Sequence, residues 1–410
     1  MHRCGFLRAT IILSVALTGG QLARAAQVAR GTVYADQNGN GQRDDGEPGV
    51  ANVAVSNQHE VALTDAAGRY ELPVTEDTIL FVVKPSGYRV PLSANRLPRF
   101  FYIHKPGGSP PLHFAGVAPT GLLPESIDFP LIPADEREDF TVVVFADTQP
   151  ETSQEVLYVR DDVVHQLVGT SAAFGITVGD IMFDNLGFYE MYNQIVAQIG
   201  IPFYNVIGNH DLNFDAAGDA DSDETFHRYF GPNYYSWNYG KVHFVALDTV
   251  KWMGKSVGRY IGALGKEQLD WLANDLAHVP PDRLIVLTMH IPLMTSQGHD
   301  VVDKNALLEL LKDRPKVLAV AGHTHYHEHN FLDKQHGWHG DGIFHELISG
   351  TVSGSWWSGP KDERGVPIAD MRDGTPNGYT MIDFTGADYT TRYQVAAGTP
   401  DDLMRIYPRA

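Results

Sequence analysis

FYNVIGNHD, residues 203–211, is a short apolar run that ends in Gly208 and then presents Asn209, His210 and Asp211 in succession. Short apolar runs bounded by glycine read as strands whose next residues stand at the rim of a sheet. In open α/β sheets that carboxyl rim is where ligands bind. The same ending recurs along the chain. Thr141–Ala146 runs into Asp147, Thr148 and Gln149, and a helical stretch follows over 154–170. Phe174–Val178 runs into Gly179 and Asp180, with Asp184 four residues on and a second helix near 187–199. Leu284–Met289 runs into His290, and Val317–Ala321 into Gly322, His323, Thr324 and His325. Strands alternating with helices predict an α/β unit. Stray capping residues would not follow five strands in turn, so these endings form one constellation.

Carboxylates with imidazoles suit manganese, iron or zinc, whereas an all-oxygen cage suits magnesium or calcium. Two divalent ions about 3.5–4 Å apart clamp a phosphoryl group, stabilising attacking and leaving oxygens. Their repulsion is of order 20 kcal/mol at an effective dielectric of about 20. A shared carboxylate must offset much of it.

The series DTQ (147–149), GDIMFD (179–184), GNHD (208–211), His290 and GHTH (322–325) resembles the calcineurin-like metallophosphoesterase superfamily, over roughly 140–335. The whole layout resembles its bacterial branch with dedicated N- and C-terminal flanking domains. The resemblance implies a four-layer α/β/β/α sandwich and two divalent transition metals (Mn, Fe or Zn). It implies that Asp147, Asp180 and His325 hold the first metal, in a motif whose usual histidine is Gln149 here. Asp180 would bridge to a second metal, completed by Asn209, His290 and His323. His210 would act on the leaving oxygen, oriented by Asp211, with Asp184 behind the ligands. A metal-bridging water would attack phosphorus in line. An amide oxygen is a poorer ligand than imidazole for late transition metals, so the first metal is expected to be weakly held. The Asp-x-Gln variant leans the reading toward a phosphomonoester, small-molecule or protein. A phosphodiesterase or a nucleotide or lipid head-group hydrolase is the alternative. A calcium-stabilised envelope binding protein with a lapsed metal site is the second. His165, His227, His243, His278, His327 and His329 fall outside the pattern and read as surface or packing histidines.

From Val28 to about Pro133, short alternating runs punctuated by Gly, Pro and Asn predict an all-β sandwich. Within it Asp36, Asn38, Asn40, Gln42, Asp44 and Glu47 follow the calcium-loop spacing, with Gly41 at the sharp turn. The segment resembles the calcium-binding sandwich repeats of bacterial surface proteins, which implies a structural Ca2+. Residues 89–131, rich in Pro, Gly and aromatics, are expected to be irregular and to lean on the next unit.

At 410 residues the chain is long for one domain. The expected organisation is a signal peptide over 1–25, the β-sandwich over 26–134, the catalytic unit over 135–340 and an abbreviated β-rich C-terminal domain over 341–410. His2, Arg3 and Arg8 before the apolar run Ala9–Leu17, with Ala23-Arg24-Ala25 after it, predict export to the periplasm or beyond and cleavage near Ala25/Ala26. No later stretch is long enough to span a membrane. The lone cysteine, Cys4, precedes the apolar run. Without residues 1–25 the chain carries 28 basic and 50 acidic residues, a net charge of −22. Such a surface repels polyanions and argues against a nucleic-acid polymer as partner. Residues 213–231 read as an acidic solvated loop or a lid over the site, and 265–276 as an amphipathic helix. Trp356 and Trp357, in a Gly/Ser-rich loop, are candidates for a substrate pocket.

Overall fold

Two sheets meet face to face in the central part of the chain, and their strands are its apolar runs. The computed structural model describes residues 27–296, 301–396 and 404; the expected leader, with Cys4, lies outside them. In the first sheet β1 (Asp139–Phe145), β2 (Phe174–Val178) and β3 (Phe203–Val206) run parallel in the order β3-β2-β1. The second sheet holds β4 (Tyr235–Tyr239), β5 (Val242–Ala246), β6 (Leu284–Thr288), β7 (Lys316–Ala321), β8 (Glu328–Leu332) and β9 (Ile343–Ile348). Their order is β4-β5-β6-β7-β9-β8, with β5, β6, β7 and β9 parallel and an antiparallel strand at each edge. β2 and β6 are buried at every residue, which is why they read as continuous apolar runs rather than alternating ones.

An aromatic seam joins the sheets. Phe174 of β2 meets Phe244 of β5 edge-on at 5.2 Å, and Phe244 also packs on Phe384 at 5.6 Å. Helices close both outer faces, giving an α/β/β/α order. On the first sheet, Ser153–Val159 starts at a capping box formed by Thr152 and Glu155, and continues through a π turn to Leu167. Tyr189–Val196 lies beside it. On the second sheet, Lys266–Leu276 buries Trp271, Leu272 and Leu276. Its Asp275 accepts from Ser236 of β4 and pairs with His243 of β5 at 2.8 Å. His243 is thus a packing histidine, as expected.

The last strands do not build a sheet of their own. β10 (Gly378–Thr385) lies antiparallel beside β1, Thr380 opposite Val144, and β11 (Asp388–Val395) forms that sheet's edge. β9 likewise belongs to the second sheet. The β-rich part beyond 340 therefore completes the central sandwich.

Ahead of it, two four-stranded sheets stack as the expected sandwich. One holds Gln27–Ala35 between Arg69–Val74 and Phe129–Pro133; the other pairs Ala54–Ser56 with Thr78–Val82. Trp271 donates from Nε1 to Ser56 Oγ at 3.1 Å and packs edge-on against Phe81, so one helix serves both units. The irregular segment after His104 leans on the central unit, where His113 N donates to Asp215 and Asn213 donates to the Phe114 carbonyl. Residues 213–231 are more than an acidic loop: they include the helix Glu224–Phe230, whose Phe226 and Phe230 are buried.

Candidate metal centre

Strand register explains why distant residues converge. Thr177 lies opposite Phe145 and Val178 opposite Val206, so β1, β2 and β3 end level. Thr288 lies opposite Val320, so β6 and β7 end level too. Asp147, Asp180 and Asn209 therefore leave one sheet where His290 and His323 leave the other. The rims are stitched together, since His323 N donates to both Asp147 carboxylate oxygens, at 3.1 and 2.9 Å.

Asp180 sits in the middle. Its Oδ2 accepts from Gln149 Nε2 at 2.7 Å. Its Oδ1 accepts from His210 N at 2.9 Å and lies 3.2 Å from His290 Nε2. His290 Nε2 is also 3.0 Å from Asn209 Oδ1 and 3.2 Å from His323 Nδ1. His325 Nε2 is 3.6 Å from Asp147 Oδ1. Backbone carbonyls orient two of the rings. His290 Nδ1 donates to Val178 O at 2.9 Å and His325 Nδ1 to Gly354 O at 2.5 Å, which leaves each Nε2 facing the carboxylates.

Charges follow from this crowding. Burial raises Asp147. Burial works the same way on Asp180, but His290 and His210 outweigh it and hold that carboxyl low. Burial opposes a proton on His290, yet Asp180 pushes the ring up to about 9. Burial and the neighbouring His290 together depress His323 to about 3.

Three observations fit this pocket to metal ions. The donor set mixes carboxylate, amide and imidazole, as Mn, Fe or Zn prefer. Gln149 Oε1 is buried without a hydrogen-bond partner, although such atoms are normally satisfied. Asp180, His290 and His323 also present ligand atoms all within 4.8 Å of one another. The backbone is committed to the same end. Asp147, Gln149, Asp180, Asp184, His323 and His325 all have positive φ, between 38° and 74°. Non-glycine residues rarely adopt this region, and it costs about 1–3 kcal/mol each.

His210 stands beside these groups, but its partner is not the neighbour the sequence suggests. Its Nδ1 meets Asp184 Oδ1 at 2.6 Å, and its ring stacks on Phe183 at 4.4 Å. Burial opposes a charge on the ring, but Asp180 and then Asp184 hold it above its ordinary value. Asp211 faces inward and does not orient His210. It accepts from the backbone N–H groups of Ile181, Met182 and Gly208 and from Tyr189 Oη. The tight turn 209–211 sends the two adjacent side chains to different partners. Asp184→Asn is therefore expected to lower turnover about 10–100-fold with metal content unchanged. Metal lost together with activity would instead make Asp184 a ligand.

The two tryptophans also separate. Trp356 is 42% exposed, stacks on His325 at 4.2 Å and lines the cavity at His210. Trp357 is buried and donates from Nε1 to Thr148 O at 2.9 Å, so it anchors the loop instead of lining the pocket. One residue escaped the sequence reading. Tyr260, on the hairpin Val250–Trp252/Tyr260–Gly262, presents its ring edge-on to His323 at 6.2 Å. Burial, then Asp180, Asp147 and Asp184, push its hydroxyl up to about 12, so it stays a donor. No motif marks it; the hairpin alone carries it to the rim.

Comparison with known proteins matches the same segments. A model described as calcineurin-like phosphoesterase matches residues 140–327, which contain all of the candidate metal ligands. Models for the N terminal and the C terminal of calcineurin-like phosphoesterase match 37–115 and 346–410. The chain belongs to the calcineurin-like phosphoesterase family. Among curated relatives of this family member, the uncharacterized protein YvnB of Bacillus subtilis (strain 168) is 26% identical over 192 residues, 43% of this chain and 14% of YvnB. The "probable glycerophosphodiester phosphodiesterase GpdQ" of Arcobacter nitrofigilis is 25% identical over 143 residues, 33% of this chain and 50% of that protein. The chain thus matches at most half the length of these two relatives. Among solved structures, PhoD aligns with a TM-score of 0.48 at 13% identity, covering 90% of this chain and 85% of PhoD. A purple acid phosphatase from yellow lupin (Lupinus luteus) aligns with a TM-score of 0.45 at 13% identity, covering 93% and 68%. No helix among the described residues is long and apolar enough to cross a membrane.

Proposed function

We propose that this chain hydrolyses phosphoesters at a two-metal centre. Asp147, Gln149, Asp180 and His325 would hold one ion; Asp180, Asn209, His290 and His323 would hold the other. The carrying observation is the Asp180 carboxylate, which has Gln149 on one oxygen and His290 beside the other. When bound, the ions supply Lewis acidity and an activated water for in-line attack. The remaining work belongs to the chain. His210, held through Nδ1 by Asp184, delivers a proton to the leaving oxygen. Tyr260 Oη donates to a phosphoryl oxygen as charge builds there. The test is metal content per chain together with turnover of p-nitrophenyl phosphate and bis-p-nitrophenyl phosphate. Hydrolysis accompanying two bound transition metals supports the reading. Wild type that cleaves neither ester after Mn, Fe or Zn is supplied overturns it, and a calcium-stabilised binding protein becomes the better account.

Gln149 makes the first ion the weaker one. Gln149→His is expected to tighten that ion in a competition titration, and an unchanged count and affinity would defeat this idea.

We infer Ca2+ in the N-terminal loop. Asp36 is buried and accepts from Gly39 N and Gly41 N, while Asp44 and Glu47 close the loop from its far end. Chelation with EGTA is expected to lower the melting temperature of wild type but not of Asp36→Asn; equal response of both would count against calcium there. The leader composition supports export, tested by N-terminal sequencing of the extracytoplasmic protein, which should begin near Ala26.

A further inference from the structure

Two cavities reach the metal centre, from different sides. The smaller, about 350 Å3, is lined by Gln149, Glu151, Glu155, Phe183, His210 and Trp356. The larger, about 690 Å3, opens at His323 and is walled by Phe214, Trp252, Tyr260, Ile261, Ile291 and Val302. They share no lining residue, and Asp180 with His290 lies between them. Asp180 touches Gln149 and the His210 amide, and His290 touches His323.

Cavities of about 300–1,000 Å3 with apolar walls and a few polar groups are the size and character of ligand sites. A monoester has one alcohol to place and needs one of them. A diester places two, one on each side of phosphorus. Charge points the same way. The smaller cavity has two carboxylates and no Lys or Arg among its lining residues; the guanidinium of Arg372 lies 5.9 Å over the Trp356 ring. That lining disfavours an anionic alcohol. The larger cavity adds one cation, Arg259, to its aromatic and aliphatic wall. A dianionic monoester, with a single alcohol, would leave one of the two cavities empty.

We propose that the substrate is a phosphodiester monoanion with two unlike arms, a small non-anionic polar alcohol at His210 and a bulkier apolar or aromatic alcohol at His323. This rests on the phosphoester reading above and names its substrate class. The leaving arm is the one at His210. The water oxygen bonds to phosphorus and the bond from phosphorus to the small alcohol's oxygen breaks. That oxygen takes a proton from His210 Nε2, and a water proton is released in its place. One water is consumed, nothing is oxidised or reduced, and the apolar arm keeps the phosphate.

The test compares bis-p-nitrophenyl phosphate with methyl p-nitrophenyl phosphate, which share a leaving group and differ only in the retained arm. Metal-loaded wild type is expected to favour the bis ester at least tenfold in kcat/KM, mainly through KM. Ile261→Asp is expected to bring that ratio to near one. Val302→Asp, at a position 72% exposed, is expected to lower the ratio and gives a second reading where Ile261→Asp does not fold. A wild-type ratio near one, or p-nitrophenyl phosphate preferred tenfold over both diesters, overturns the two-arm assignment while leaving phosphoester hydrolysis intact. Failure to cleave any of the three esters strikes the underlying reading instead.

Discussion

Asp180→Asn is expected to lower turnover of p-nitrophenyl esters at least about a thousandfold, about 4 kcal/mol of barrier, and to remove at least one equivalent of bound metal. The effect is large because, on the proposed reading, one carboxylate would serve two ions. Its Oδ2 faces Gln149 and its Oδ1 faces His290 and the His210 amide. Two divalent cations held this close repel by energies on the order of 20 kcal/mol at an effective dielectric of about 20. A neutral amide of the same shape offsets far less. It also directs an N–H toward Gln149 Nε2 or His210 N, both of which are donors. The fold should hold, since β2 is anchored on both sides by β1 and β3. An unchanged far-ultraviolet circular dichroism spectrum with collapsed turnover and metal content is the expected combination. Full metal content with activity within tenfold of wild type would mean that Asp180 is not the shared ligand.

The sites at strand ends were legible because each strand announces itself as an apolar run and each ending is polar. That pattern is local, and strand register then brings the endings together without further information. What the sequence obscured was set by contacts at long range or by side-chain direction. Asp211 follows His210 in the chain, so it was the natural partner, but the turn points it at three backbone amides and leaves Asp184 to hold the imidazole. Trp356 and Trp357 share a loop, and only packing against Tyr158 and Thr148 separates the buried ring from the exposed one. The hairpin after residue 377 reads as the start of a separate part, yet its ladder to β1 joins residues more than 200 positions apart. Gln149 alone leans the reading toward a monoester, and the hairpin that supplies part of the larger cavity's wall carries no motif. A residue pattern identifies the reacting centre far better than the surroundings that choose its substrate.

Gly208→Ala is expected to cost about 1–3 kcal/mol of stability and at least about a hundredfold in turnover, although it adds a single methyl group. Backbone conformation is not the reason. Gly208 has φ −114° and ψ 175°, which alanine adopts freely. The reason is proximity, because a Cβ there would stand 2.0 Å from Asp180 N and 2.3 Å from Asp180 Oδ1. Either the loop after β2 or the turn after β3 must yield. Neither can yield alone, since the buried Asp211 carboxylate binds Gly208 N on one side and Ile181 N and Met182 N on the other. Separating them breaks buried hydrogen bonds and moves Asp180 away from His290. Gly218→Ala is the matched control, with φ −158° and nothing within 4 Å of the added carbon. It should leave both melting temperature and turnover unchanged. Gly208→Ala with wild-type activity would show that the two loops can part without cost, and that their close approach is not what positions the Asp180 carboxylate.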